Sequence, residues 1–130
     1  MRKVILDANF LLVPFQFKVD IFSEIEALIG GFEPIVLSTT IEELKRLSAV
    51  KSEKARRNFS AALELVKKCR IVNVELKPGE SYDDIILRVA NEGKYIVATN
   101  DSKLRRRLRD KGITTVFLRQ KSHLEVDGYA

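Results

Sequence analysis

The 130-residue sequence predicts an α/β protein, a three-layer α/β/α sandwich around a central five-stranded parallel sheet. Three observations lead there. Short apolar runs alternate along the chain with longer amphipathic stretches. Each run is continuously apolar, the mark of a strand buried on both faces. No Pro-, Gly- or Ser-rich linker interrupts the alternation, so residues 1–130 read as one domain with a short C-terminal tail from about residue 119.

Arg2 to Leu6 is the first strand, and residues 9–17 are a link, irregular or briefly helical, containing Pro14. A helix runs from about Asp20 to Ile29 with Ile21, Phe22, Ile25, Leu28 and Ile29 on one stripe, and Gly30-Gly31 ends it. Pro34 to Leu37 is the second strand. Ser38, Thr39 or Thr40 can cap the next helix, "IEELKRL", with Ile41, Leu44 and Leu47 inward. A charged helix spans about Ser52 to Lys68, and Ile71 to Val74 is the third strand. The loop "KPGES" leads into the helix "YDDIILRVANEG", which Gly93 closes. Tyr95 to Thr99 is the fourth strand, residues 101–111 form an arginine-rich helix closed by Gly112, and Thr114 to Leu118 is the fifth strand.

Composition narrows the chemistry. A net charge of +5 and a pI near 9.4 favour polyanionic partners such as nucleic acid. No apolar run approaches the roughly 20 residues that span a bilayer, and the apolar part of "MRKVILDANF" is too short for a signal peptide, so a soluble, cytoplasmic protein with no membrane partner is expected. The single Cys69 excludes an intramolecular disulfide and a Cys-rich zinc site, and reads as a small core residue. The single His123, near the C-terminus, reads as a solvated tail residue and leaves little material for Ser-His-Asp or Cys-His catalysis. There is no GxGxxG or GxxxxGK[ST] loop, which argues against a nucleotide cofactor.

What remains is a set of carboxylates at repeated positions. In sheets of this class ligands bind beyond the carboxyl ends of the strands, near the point where strand order reverses. Asp7 directly ends strand one and Asp101 directly follows strand four. Glu43 lies in the early turns of the helix after strand two, and Asp83 with Asp84 in the first turn of the helix before strand four. Each has an ordinary explanation as a cap or a first-turn charge. Together they are expected to converge on one pocket. Two carboxylates about 5 Å apart repel by roughly 3 kcal/mol at an effective dielectric of about 20, so four require protons or a cation between them. An oxygen-only donor set suits a hard ion, Mg²⁺ or Mn²⁺.

The motifs "ILDANFLL", "TTIEELKRL", "SYDDIILRVA" and "IVATND", in this order, resemble those of the PIN-domain nucleases over nearly the whole chain. The resemblance implies a PIN-like, Rossmann-like five-stranded sandwich and metal-dependent endoribonuclease activity leaving a 5′-phosphate and a 3′-hydroxyl. It makes Asp7, Glu43, Asp83 and Asp101 the catalytic and metal-binding quartet, with Asp84 as the alternative third acid and Asn9 and Thr99 as supporting polar residues. The form "YDDIILRV…YIVATNDSKLRRRL" looks closer to the ribosome-biogenesis branch, with a role in rRNA processing and ribosome-assembly partners, than to VapC-type toxins, whose partner would be an antitoxin.

RNA binding then falls to a basic rim: Lys103, Arg105, Arg106 and Arg109 beside Asp101, with Lys45 and Arg46 just after Glu43. Lys51, Lys54, Arg56 and Arg57 mix with acids and read as surface. Phe10, Phe15 and Phe17 in the first link stack bases, pack the link against a helix, or face a second subunit in a homodimer. A phosphoacceptor receiver domain and a haloacid-dehalogenase phosphatase fit less well: the first wants an Asp after strand three and the second an Asp-x-Asp-Gly-Thr, where this chain has "NVELKPGES" and "DANFL". A PIN-like RNA-binding or assembly module with an unused site is the non-enzymatic rival, and its hallmark would be missing acids.

Overall fold

The computed structural model describes residues 1–49 and 52–128. Lys51 lies outside the described residues. One sheet has the order β3-β2-β1-β4-β5-β6, built from β1 (Arg2–Leu6), β2 (Phe32–Leu37), β3 (Arg70–Val72), β4 (Ile96–Ala98), β5 (Thr115–Arg119) and β6 (His123–Asp127). The first five are parallel, as expected, and β6 runs antiparallel to β5.

Strand β1 shows why both faces must be covered. Side chains alternate across a strand, so Val4 and Leu6 enter one buried cluster with Phe10, Ile25, Val36 and Leu44, while Ile5 enters another with Ile35, Ile86, Val97, Leu104 and Leu108. The first cluster lies under the helices that precede β3: α1 (Ala8–Leu11), α2 (Val13–Phe17), α3 (Ile21–Ile29), α4 (Ser38–Leu47) and α5 (Glu53–Val66). The second lies under α6 (Tyr82–Gly93) and α7 (Ser102–Asp110). Both clusters are apolar throughout, which is why the periodicity of the sequence locates them.

Several boundaries differ from the sequence expectation. The residues beyond 119, expected as a tail, form β6. Gln120 and Lys121 take φ of 53° and 57°, and the Ser122 N–H donates to the Arg119 carbonyl at 3.1 Å. Two successive positive φ values are what a type I′ hairpin turn uses, yet the residues here are not the usual Asn-Gly. Leu124 is buried on the near side of β6, and its N–H donates to the Glu24 carboxylate of α3 at 3.0 Å. Helix α4 begins at Ser38 without a side-chain cap. The Ser38 hydroxyl instead accepts the Val74 N–H at 3.0 Å, tying the loop after β3 to the helix start. Leu28 and Leu47, expected to face inward, are 43% and 37% exposed.

Gly93 does not close α6 by a left-handed turn; Lys94 does, with φ of 58°. Gly93 is small for another reason: a Cβ there would collide with the Tyr95 ring. A lysine in the left-handed region carries a steric cost that glycine lacks. Lys94→Gly is therefore expected to stabilise the protein by about 0.5–1 kcal/mol, read as a higher urea midpoint with an unchanged slope.

Candidate active site

Strands β2 and β3 lie to one side of β1, and β4 and β5 to the other, so strand order reverses between β1 and β4. The crevice at the carboxyl ends of this pair is the switch point of the sheet. Asp7 ends β1, and Thr99, Asn100 and Asp101 end β4.

Asp7 is 3% exposed. Its backbone N–H continues the ladder to the Ala98 carbonyl at 3.0 Å, and its side chain caps α1, Oδ1 accepting the Ala8 N–H at 2.8 Å. Oδ2 accepts the Thr99 hydroxyl at 2.7 Å and the Asn9 amide at 3.2 Å. Thr99 Oγ1 in turn accepts the Asp101 N–H at 3.1 Å, so one hydroxyl positions both acids. Asn9 Oδ1 accepts the Asn100 N–H at 3.1 Å, and Asn100 Oδ1 accepts the Leu118 N–H at 2.8 Å. These bonds lock the ends of β1, β4 and β5 together. Asn100 is the residue that sequence reasoning passed over; its place between a strand end and a helix cap was the available signal.

Asp101 is the N-cap of α7, Oδ1 accepting the N–H groups of Lys103 at 2.9 Å and Leu104 at 3.1 Å. Asp83 and Asp84 separate cleanly. Asp84 turns away: it completes a capping box with Ser81, accepting its N–H at 2.9 Å, and pairs with Arg107 at 2.9 Å. Those bonds hold its carboxyl below the usual range. Asp83 instead lies near Asp7 and Asp101, and burial together with their charges raises its carboxyl.

The electrostatics show that the four acids share one space. Burial, then the charges of Asp7 and Asp83, push Glu43 up to about 7; Arg46 offsets only part of this, and Asp101 adds to the rise. Burial, Asp7 and Asp101 push Asp83 up to about 6 against a smaller pull from Arg107. Asp7 is raised as well, mainly by burial, although its three hydrogen bonds oppose the shift. Among the described residues no group of three or more acidic, cysteine or histidine side chains is placed closely enough to hold a metal ion. The four acids are near enough for their charges to raise one another, and an all-oxygen donor set short of positive charge is of the chemical type that suits a hard cation retaining part of its water shell.

These shifts predict a pH dependence for the metal-free protein. Glu43 and Asp83 hold protons in the folded state that the unfolded chain releases near pH 4, so folding stability falls as pH rises from about 4 to 7 and is then flat with respect to these groups. Allowing for solvent screening of half-exposed groups, the expected loss is about 1–2 kcal/mol. Urea unfolding at pH 5 and pH 8 in EDTA measures it, and Glu43→Gln should flatten the difference.

The basic residues divide into two groups. Lys45, Arg46, Lys103 and Arg106 are exposed, Arg46 lying over the Tyr82 ring at 5.1 Å. Arg105 instead stacks on Phe117, 3.5 Å from the ring centroid, and Arg109 donates to Asp127 of β6 through Nε at 3.0 Å. These two fasten α7 to the β5–β6 hairpin. Lys54, Arg56 and Arg57 are surface residues. Phe10 is fully buried, while Phe15 and Phe17 are half-buried against the same core. His123 is exposed, beside Ser122 and Glu125.

Fold and site together define a parallel α/β protein with an acidic centre at its switch point. The chain belongs to the PIN like domain family, whose profile matches residues 4–121. It is 36% identical to ribonuclease VapC4 of Methanocaldococcus jannaschii, over 98% of each chain. It is 30% identical to the rRNA-processing protein FCF1 of Saccharomyces cerevisiae over 82% of this chain, spanning 54% of the length of that protein. A solved structure of the PIN domain endonuclease Utp24 superposes with a TM-score of 0.78 at 26% identity, covering 98% of this chain and 92% of that one. Both branches weighed from the sequence, ribosome biogenesis and VapC, are thus represented among the relatives.

Proposed function

We propose that the protein is a divalent-metal-dependent endoribonuclease that cleaves RNA phosphodiester bonds in the cytoplasm, with a role in RNA processing. The observation that carries this reading is the convergence of Asp7, Glu43, Asp83 and Asp101, from four separate segments, on one crevice where burial and mutual repulsion raise three of them. Three acids so raised destabilise the metal-free fold, a cost that a site serving chemistry explains.

In this reading the four carboxylates hold Mg²⁺ or Mn²⁺, with Asp83 rather than Asp84 as the third acid. The bound ion supplies charge neutralisation, activation of water and Lewis-acid stabilisation of the phosphate. The chain's own residues do the positioning. Asp7 is fixed by three hydrogen bonds, so its oxygens are pre-aimed. Thr99 and Asn9 are positioning residues that hold the strand ends in register. Lys103 and Arg106 beside Asp101, and Lys45 and Arg46 beyond Glu43, flank the crevice and bind RNA phosphates.

The test is incubation of end-labelled single-stranded and hairpin RNAs with the protein in Mg²⁺, Mn²⁺ or EDTA. Internal cuts in the divalent ions, absent in EDTA and leaving 5′-phosphate and 3′-hydroxyl ends, support the reading. RNA binding without cleavage under every condition would point to an assembly module instead. The full-length match to VapC4 also supports a second reading, a toxin ribonuclease held by an antitoxin; growth arrest on expression, relieved by a co-expressed partner, distinguishes it from a processing enzyme with ribosome-assembly partners.

The basic rim makes a separate prediction. Lys103→Gln with Arg106→Gln should weaken RNA binding and lower the slope of log affinity against log salt by about 1.4, since each phosphate contact on single strands contributes roughly 0.7. Arg109→Gln should change the slope less, because Arg109 is engaged by Asp127.

A further inference from the structure

At the opposite end of the sheet, beneath the amino ends of β1, β4 and β5, lies a cavity of about 410 Å³ that shares no lining residue with the acidic crevice. Four cations line it. Arg2 and Lys3 open β1, Lys94 caps the end of α6, and Lys111 caps the end of α7; among the described residues no carboxylate lines it. The simplest explanation is that Lys94 and Lys111 answer the helix C-termini. Each helix end is equivalent to about half a negative charge, so two ends offset roughly one of the four cations and leave about three.

None of these four cations is in a salt bridge among the described residues, as is also true of exposed cations such as Lys45 and Lys103; what distinguishes the four is that they surround one cavity. The cavity also holds a flat aromatic surface. Tyr95 is half-buried in its wall, seated against the bare backbone of Gly93, with the Lys3 ammonium 6.0 Å from its ring centroid. The exposed Asn91 amide adds a hydrogen-bonding group at the rim. The volume falls within the range of about 300–1,000 Å³ common to small-molecule sites.

Uncompensated cations beside an aromatic face and an amide match a phosphate attached to a flat heterocycle. We propose that this cavity is a second, non-catalytic site that binds a ribonucleotide, its phosphate among Arg2, Lys3, Lys94 and Lys111 and its base against Tyr95. The run of β1 from Lys3 to Asp7 separates the two sites by about 13 Å at the rise of an extended strand. The same chemistry is presented by a free nucleoside monophosphate and by a flanking nucleotide of an RNA strand. Neither requires cleavage at the acidic crevice, so this site and the nuclease reading stand or fall separately.

The experiment is an amide-resolved NMR titration of the full chain, free of divalent ions, with adenosine monophosphate, with a short RNA oligonucleotide, and with sulfate at matched ionic strength. Saturable shifts at Lys94, Tyr95, Lys111 and Gly112 are expected, weakened at least tenfold in the double variant Lys94→Gln, Lys111→Gln, whose exposed side chains leave the remaining spectrum unchanged. Response to the mononucleotide alone assigns the site to a free nucleotide, and much tighter response to the oligonucleotide assigns it to the RNA strand. The proposal is overturned if neither ligand moves these amides, if the double variant responds as the parent does, or if sulfate moves them equally well.

Discussion

Asp7→Asn is expected to reduce RNA cleavage by at least about 10²-fold, a scale typical of losing one pre-aimed electrostatic group from an active site. The substitution changes charge and hardly changes shape. The oxygen of the introduced carboxamide can still accept the Ala8 N–H, and the Thr99 hydroxyl, which already accepts from Asp101, has a second lone pair for the new NH₂ group, so the bond lost is the one from the Asn9 amide. The strand ends therefore stay together, and a circular dichroism spectrum like that of the parent would show that the fold is kept. RNA affinity should change little, since the basic residues are untouched. Retained cleavage in a folded Asp7→Asn protein would remove the buried acid from the reaction.

The neighbouring pair Asp83 and Asp84 should respond in opposite ways. Asp83→Asn removes a carboxyl raised to about 6 in the crevice, so cleavage should fall by about 10²-fold or more while the metal-free protein holds or gains stability at pH 8. Asp84→Asn breaks the pair with Arg107 and weakens the capping box with Ser81, so its unfolding midpoint should drop while cleavage persists. Cleavage rates and thermal midpoints of the two variants, measured side by side, decide which acid serves the site. The reverse pattern would mean that α6 is rotated by about 100° from the orientation described, since successive helical residues differ by that angle.

The contrast between these two residues also marks how far the sequence is legible. Strand β1, helix α6 and the parallel alternation could be read from apolar periodicity, because buried strands and helix stripes leave a pattern of their own. Asp7 and Asp101 were legible as acids at strand ends, and the four motifs pointed to the family. The direction of Asp83 was not legible: it depends on Ser81 taking the N-cap and engaging Asp84, and the sequence offers both acids in one turn. Strand β6 was hidden because Gln120 and Lys121 form the hairpin turn without its usual residues. The roles of Arg105 and Arg109 followed from that omission, since their partner Asp127 lies on the strand that was read as a tail. Gly93 looked like a helix stop because glycine commonly is one, whereas the close approach of Tyr95 is a tertiary contact that local sequence does not encode.

The most direct test of the acidic crevice as a nuclease site is the Mn²⁺-dependent cleavage rate of one labelled RNA by the parent protein and by Asp101→Asn. Asn caps helices as well as Asp does, so α7 keeps its start while the crevice loses a charge. Cleavage by the parent that stops in EDTA and falls at least about 10²-fold in Asp101→Asn is the predicted result. Equal rates for the two proteins, or a rate indifferent to EDTA, would contradict it.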